Sequence, residues 1–418
     1  MRVAALLLAL AIQAALIETS WAQSTLSSAQ SSLTLSEALR KAEANLPLPQ
    51  AARAKVLAAE ARTQLAGKQN NTNLALARPY GSSQTGGFGE DIIVSQTFEP
   101  GGVLRPRKQA AEQQQKATEA DQVATLLDLR RDVTSAYIEC LRADAELAQA
   151  KSSLEATQRF AEAASAQFTA GDVPRSNVVR SQIENARFRQ TLTQATTDRD
   201  NRYSTLKSLL GLPSDDSLVL AGALTAKTNL PNLATAQSLA LSRRPDILAA
   251  RAQVLASSAG IAEAKGQRLP NVVLEGRRYN LNPAQVGDAS LRIGINLPLF
   301  DNGRIRAEVR ATEAAKQEMQ LQLKESERLA LLEVEIAFRE CQQALQIAAS
   351  FEGDGRLTKT KELLEMAQIG YEKGGSGYLE VIDAQRTFAS EQVEYLRSLA
   401  TLQLASAQLE RTIGGPLP

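Results

Sequence analysis

The amino-acid sequence repeats itself after about 200 residues, and this duplication limits the possible folds more than any other feature. One offset aligns Gly171 with Gly374 and Gly211 with Gly414 (374 − 171 = 203; 414 − 211 = 203). The same offset aligns three further pairs: Phe168 with Tyr371, Gln182 with Gln385, and Ala186 with Ala389. A period this long indicates a duplicated domain rather than the short unit of a solenoid.

Both halves follow the same order of predicted elements. A helical segment, predicted over 35–65 and again over 233–264, precedes a strand-rich patch. A long helical run then leads to a glycine-rich tip, and a final helix returns from that tip. The pattern predicts a mainly α-helical fold of long antiparallel helical hairpins, with four β-strands in the chain.

The order of elements also gives the domain boundaries. We predict a first repeat over 23–211, an equatorial linker over 212–232 and a second repeat over 233–418. The strand pairs lie within 73–98 and 271–300, and the hairpin tips lie near 171–174 and 374–377.

The last predicted strand, 290–300, alternates between apolar and polar residues. Leu291, Ile293 and Ile295 fall on one face, whereas Arg292 and Asn296 fall on the other. A period of two with one polar face is typical of a half-buried strand. The strand at 90–98 shows the same pattern less regularly.

Glycine clusters interrupt the helical pattern at both tips. Glycine allows the positive φ angles of a tight turn between antiparallel helices, so Gly374–Gly377 and Gly171–Pro174 are interpreted as hairpin turns. The helix after the second tip carries an apolar heptad seam, which predicts coiled-coil packing: Val381, Phe388, Tyr395, Leu402 and Leu409. The corresponding seam of the first half is more polar: Val178, Asn185, Leu192, Arg199 and Leu206.

Composition argues against several classes of function. The formal net charge of +1 provides no basic field for nucleic acid. Histidine is absent and the two cysteines, Cys140 and Cys341, are predicted to be buried hydrophobes, so neither a zinc site nor a disulfide framework is expected. No nucleophile–base pair and no phosphate-binding loop is recognisable. We therefore expect no enzyme activity, no metal site and no cofactor.

The N-terminal residues have the composition of a secretory signal. Arg2 precedes an apolar run, and Ser20-Trp21-Ala22 forms a small-x-small cleavage site, so residues 1–22 are predicted to be a signal peptide. The rest of the sequence contains no apolar run long enough for a transmembrane helix.

Four segments together resemble the TolC-like outer-membrane efflux proteins over about residues 34–415. "RRPDILAARAQVLASSAGIAEAKGQRLPNV" (243–272) resembles the family's approach to its third strand, and "INLPLFDNGRIRAEVRAT" (295–312) resembles its strand-to-helix exit. "GGSGYLEVIDAQRTF" resembles the second periplasmic tip. "VSQTFEPGGVLRPR" (94–107) is similar to the cobalt–zinc–cadmium, heavy-metal branch of the family.

The resemblance implies an assembly and a set of partners. Three chains would each contribute four strands to a twelve-stranded outer-membrane β-barrel and would enclose an α-helical tunnel. Four strands alone are too few for a closed barrel, which supports a homotrimer independently. The implied partners are a periplasmic adaptor protein, an inner-membrane RND pump and outer-membrane lipid of a Gram-negative bacterium. The implied function is passive export of small substrates, heavy-metal cations among them.

The resemblance also implies roles for residues at the two tips. Glu380 and Asp383, one helical turn apart, match the acidic positions that ring the tunnel entrance. Arg175, Asn177 and Arg180 are candidates for a latch between tip helices, although Ser376 stands where the family carries a basic residue. The exposed tips that would dock the adaptor are Gly171, Asp172, Val173, Pro174, Gly374, Gly375, Ser376 and Gly377.

Two other functions remain open from the sequence. The chain could serve as the outer-membrane duct of type I protein secretion, with an ABC exporter in place of the proton-driven pump. It could also be a periplasmic coiled-coil scaffold without a pore, although the alternation at 290–299 favours a membrane strand.

Overall fold

The computed structural model describes residues 32–77, 91–226, 229–278, 289–373, 375 and 377–417. The predicted signal peptide, Gly374 and Ser376 lie outside these ranges. Within them the fold is mainly helical with one antiparallel sheet, as the sequence predicts.

The helices fall into two sets that follow the repeat. Those of the first half are α1 (Leu35–Asn45), α2 (Pro47–Ala66), α3 (Gly101–Ala170) and α4 (Arg175–Leu210). Those of the second half are α5 (Leu233–Arg243), α6 (Pro245–Gly266), α7 (Arg304–Gly353), α8 (Arg356–Glu372) and α9 (Tyr378–Ile413). The two returning helices, α4 and α9, have the same length of 36 residues.

Four strands form one sheet in the order of the sequence. They are β1 (Asn73–Ala77), β2 (Asp91–Phe98), β3 (Asn271–Arg278) and β4 (Ala289–Asn296), and each pairs antiparallel with the next. Among the described strands, β1 and β4 therefore each have a neighbour on one side only.

The sheet has one polar and one apolar face, because successive side chains of a strand point to opposite sides. The strand register places these residues on the polar face: Asn73, Ala75, Ile93, Ser95, Thr97, Asn271, Val273, Glu275, Arg277, Ser290, Arg292, Gly294 and Asn296. The apolar face carries eight exposed large side chains: Leu74, Leu76, Val94, Phe98, Val272, Leu291, Ile293 and Ile295. An apolar face this exposed requires a non-aqueous environment or a partner.

The described chain divides into two compact units. The hairpin unit comprises 32–45, 133–225 and 351–400. The sheet unit comprises 46–132, 226–350 and 401–417 of the described residues. The division separates the hairpin ends from the strands rather than the first repeat from the second.

Three predicted segments differ in detail from the structure. The helix predicted over 35–65 is broken at Leu46, and the one predicted over 233–264 is broken at Arg244. Pro47 and Pro245 follow these breaks, and the steric restriction that proline places on the preceding residue ends a helix there. The last strand ends at Asn296 rather than at residue 300.

Both returning helices end at a glycine in the left-handed conformation. Gly211 has φ 64° and Gly414 has φ 80°. The following residue closes the helix in each case: Leu212 donates its N–H to the Lys207 carbonyl, and Gly415 donates to the Glu410 carbonyl. The duplication seen in the sequence is therefore also a duplication of backbone geometry.

None of the helices in the described ranges is both long and apolar enough to cross a membrane.

Candidate functional site

The hairpin unit contains two helical hairpins, whose ends carry the predicted site residues. Hairpin 1 consists of residues 133–170 of α3 together with α4. Hairpin 2 consists of α8 together with residues 378–400 of α9.

The tip of hairpin 1 is a tight turn at Gly171. This residue has φ 86°, a value that favours glycine. The Asp172 N–H donates to the Gln167 carbonyl at 2.9 Å, and Pro174 then fixes the backbone just before α4 begins. Gly171, Asp172 and Pro174 are exposed and Val173 is half-buried, which leaves this turn open to a partner.

The tip of hairpin 2 closes with a matching backbone bond. The Gly375 N–H donates to the Gly370 carbonyl at 2.8 Å, which corresponds to the Asp172–Gln167 bond of hairpin 1. Gly375 and Gly377 are both exposed, as is Gly171 in hairpin 1. The position equivalent to Gly171 is Gly374, which lies outside the described residues.

The two predicted acidic residues share one exposed face of α9. Glu380 and Asp383 are both exposed, and neither side chain makes an ion pair with another described residue. Asn177 and Arg180 of hairpin 1 are their equivalents in the repeat (177 + 203 = 380; 180 + 203 = 383). The two tips therefore present different charges at equivalent positions.

The residues predicted as a latch do not connect the hairpins in the described chain. Arg175 and Arg180 are exposed and Asn177 is half-buried, and the described residues offer neither arginine an ion-pair partner. The ionic connection is formed instead by Glu184 of α4 and Arg386 of α9.

Glu184 is a buried carboxylate held by two arginines. Its residue is only 6% exposed, and Arg386 binds it through two nitrogens, with Nε 3.0 Å from Oε2. Arg187, one turn further along α4, donates to Oε1 at 2.9 Å. A bidentate guanidinium–carboxylate pair is directional, so this contact fixes the register of α9 against α4.

Two tyrosines of hairpin 2 add polar contacts nearer the tip. The Tyr371 hydroxyl donates to Oε1 of Gln167 in hairpin 1. Tyr378 stacks edge-on against Tyr371, with ring centroids 5.9 Å apart. Burial raises the pKa of Tyr378 to about 12, and a hydrogen bond with the Ser181 side chain offsets part of that rise.

An apolar cluster packs beneath these contacts. Leu364, Ala367, Val381 and Ala384 are buried together, with Phe160, Tyr371 and Phe388 against them. Val381 and Phe388 belong to the predicted heptad seam, and the more distant seam residues Leu402 and Leu409 are fully buried.

Hairpin 1 contains a polar cleft at the equivalent level. A cavity of about 370 Å³ lies between α3 and α4, and it is lined by Gln158, Ala161, Glu162, Ser165, Gln182, Asn185, Ala186 and Arg189. Asn185 is 7% exposed, and its Nδ2 has no hydrogen-bond partner among the described residues. The cleft exists because Ala161 and Asn185 occupy the positions of Leu364 and Phe388 (364 − 161 = 203; 388 − 185 = 203).

A second ionic connection joins the hairpins further from the tips. Arg142 of α3 contacts Glu139, Glu146 and Asp198, and Arg397 of α9 also donates to Glu146. A cavity of about 510 Å³ lies beside this cluster, walled by α3, α4 and α9. Arg386 and Arg397 are eleven residues apart, about three helical turns, so both lie on one side of α9.

The cysteines and the acidic residues do not suggest a metal site in the described chain. Cys140 and Cys341 are both buried free thiols, as predicted. Burial raises the pKa of the Cys140 thiol to about 12, which keeps it protonated and unreactive. No group of three or more metal-ligating side chains occurs among the described residues.

This chain matches one protein family and resembles several known proteins in sequence. A family model described as "Outer membrane efflux protein" matches residues 38–212 and 236–415. The pyoverdine export outer membrane protein OpmQ of Pseudomonas putida is 26% identical over 340 residues, which cover 78% of this chain and 70% of OpmQ. The cobalt-zinc-cadmium resistance protein CzcC of Cupriavidus metallidurans is 24% identical over 322 residues, covering 76% of this chain and 75% of CzcC.

Solved structures share the fold. The outer-membrane channel OprN superposes with a TM-score of 0.76 at 20% identity, covering 91% of this chain and 90% of OprN. The outer membrane protein VceC of Vibrio cholerae superposes with a TM-score of 0.75 at 20% identity, covering 92% of this chain and 97% of VceC.

Proposed function

The chain belongs to the outer membrane efflux protein family, and on that premise we propose that three copies form one duct that exports small solutes through the outer membrane. As a member of this family it is an outer-membrane efflux channel of a Gram-negative tripartite pump. The number of copies, the cargo and the roles of individual residues are our proposals.

The two-faced sheet is the observation that supports this duct most strongly. Its apolar face suits lipid, and its polar face suits a water-filled interior. Four strands cannot close by themselves, whereas β1 and β4 can pair with strands of neighbouring copies. A pore-free scaffold has no use for eight exposed large apolar side chains on one side of a sheet.

We assign the hairpin ends to the periplasmic entrance of the duct. The exposed turn at Gly171–Pro174, together with Gly375 and Gly377, would meet the adaptor protein. Gly374 and Ser376 were predicted for the same role. Glu380 and Asp383 would form a ring of carboxylates, which attracts cations and repels anions. The Glu184–Arg386 pair replaces Arg175, Asn177 and Arg180 as our candidate for the latch.

Heavy-metal cations are the cargo that we propose. The acidic entrance supports a cationic cargo, and CzcC is a relative of similar identity to OpmQ. Deletion of the gene should lower resistance to cobalt, zinc or cadmium. Unchanged metal resistance with a lower tolerance of organic solutes would instead favour an organic cargo.

The purified full-length protein in a planar bilayer tests the duct and its entrance. We expect discrete channels whose cation preference falls in Glu380→Ala/Asp383→Ala. The matched control is Asn177→Ala/Arg180→Ala, which alters the equivalent positions of hairpin 1 without removing a carboxylate. Equal loss of cation preference in both double variants would contradict the acidic ring, and absence of channels would contradict the duct.

A further inference from the structure

The polar face of the sheet carries a short ladder of charges that neither the fold nor the hairpin ends explain. Glu275 of β3 lies directly opposite Arg292 of β4, and their charged groups are 3.9 Å apart. Arg277, two residues along β3, shares the same face. These residues are far in sequence from the predicted acidic ring.

We propose that Glu275 and Arg292 determine the charge selectivity of the duct where it passes through the sheet. This inference rests on the proposed function, because only a closed sheet turns its polar face into the wall of a pore. In a narrow pore, charges on the wall attract counter-ions and repel ions of the same sign. Copies of the ladder would therefore act as a second filter, separate from Glu380 and Asp383.

Packing gives no other explanation for the ladder. The Arg292 side chain is 70% exposed and the Glu275 side chain is 27% exposed, so solvent reaches both charges. Exposed ion pairs at this separation contribute little to stability. Substitutions here should therefore leave folding intact and alter only the electric potential that a passing ion experiences.

The pleat of the strand supplies a matched control. Arg278 follows Arg277 directly and so lies on the opposite, apolar face. It is an exposed arginine of the same sheet, yet it would face away from the pore. The inference therefore predicts that two arginines of one sheet, Arg292 and Arg278, affect conduction differently.

The test is the reversal potential of single channels of the full-length protein under a KCl gradient. The salt should stay near 0.1 M or below, where the Debye length is about 10 Å or longer. Arg292→Gln should raise the potassium-to-chloride permeability ratio by about twofold or more, because a positive charge leaves the wall. Glu275→Gln should lower that ratio, whereas Arg292→Lys and Arg278→Gln should leave it unchanged.

Three outcomes would overturn the inference while leaving the proposed function intact. A shift of equal size in Arg278→Gln would mean that the assigned faces do not decide conduction. Shifts of the same sign in Arg292→Gln and Glu275→Gln would point to a structural disturbance, and unchanged ratios in all variants would exclude the ladder as a filter. Absence of channels from the wild-type protein would instead overturn the proposed function, and this inference with it. If Arg292→Gln alone forms no channels, Glu275→Gln still tests the sign of the effect, and Arg292→Lys remains the charge-preserving control.

Discussion

Hairpin 1 and hairpin 2 have the same backbone pattern but differ in the packing of side chains between their helices. Their returning helices have equal length and end at equivalent left-handed glycines. Val381 is fully buried, whereas its equivalent Val178 is half-buried (178 + 203 = 381). Where hairpin 2 has Leu364 and Phe388, hairpin 1 has a cleft. The backbone of a duplicated helical hairpin is therefore retained while its packing diverges.

The largest effect on stability should come from removing a buried side chain from the apolar cluster of hairpin 2. Leu364→Ala removes a nearly buried side chain and should cost about 2–4 kcal/mol, because a cavity adds to the lost burial. The measurement is the loss of helical circular dichroism on heating the detergent-solubilised protein. The control is Gln158→Ala in hairpin 1, an exposed substitution that should leave the melting temperature unchanged. Equal effects of the two variants would contradict the difference in packing.

The next effect concerns the ion pair between Glu184 and Arg386, which joins the two hairpins. The Glu184 side chain is more buried than that of Arg386. Arg386→Gln leaves the buried Glu184 with Arg187 alone and should cost about 2 kcal/mol. Glu184→Gln leaves two arginines that solvent reaches, so its cost should be about 1 kcal/mol or less. A double-mutant cycle of thermal stability measures the coupling. A larger loss of stability in Glu184→Gln than in Arg386→Gln would contradict the expected order.

A smaller effect, of opposite sign, should follow from filling the cleft in hairpin 1. Asn185→Leu removes a buried amide nitrogen that has no partner among the described residues, and it adds apolar volume. Stability should therefore stay constant or rise by about 1 kcal/mol. Thermal melting of this variant and of Ala161→Leu checks the expectation. A clear loss of stability would mean that the amide has a partner in the assembled protein.

The smallest effect concerns alkaline pH and the tyrosine that only hairpin 2 carries. Tyr378 occupies the position of Arg175 (175 + 203 = 378), and burial raises its pKa to about 12 from an ordinary value of about 10. Its contribution to stability is complete below about pH 10 and is lost as pH rises towards about 12. Melting curves at pH 9 and pH 11.5 should therefore differ less in Tyr378→Phe than in the wild type. An unchanged pH dependence would assign it to other tyrosines.

The regular features of the fold followed from the sequence because their causes are local. Alternation placed the four strands, glycines marked the turn at Gly171 and both helix ends, and the heptad seam identified buried residues of α9. The breaks at Leu46 and Arg244 also have local causes in Pro47 and Pro245, which the helices predicted over 35–65 and 233–264 do not take into account. The sequence also contains a signal for the cleft, because Asn185 is a polar residue in the heptad seam of the first half.

The contacts between the hairpins did not follow from the sequence. Glu184 and Arg386 are 202 residues apart, and nothing in the neighbourhood of either residue marks it among the many charged residues of long helices (386 − 184 = 202). The repeat does not indicate this pair either, because the equivalent residues in the other half, Thr387 and Ile183, are uncharged. Pairing of this kind depends on how one helix is rotated against another, which a local pattern does not encode. Arg175 and Arg180 were predicted as a latch from the family resemblance and from their place near a tip, and neither source specifies which side chains meet.

The open edges of the sheet have a consequence for the order of events during biogenesis. A single chain can complete its helical hairpins by itself, since both helices of each hairpin belong to one polypeptide. In the proposed trimer, the hydrogen-bonding groups along β1 and β4 find partners only when other copies of the chain arrive. Closure of the sheet is then a step whose rate depends on the local concentration of newly arrived chains. At a low concentration of chains, the edges of β1 and β4 would stay unpaired for longer and would be more exposed to proteolysis and to incorrect strand pairing.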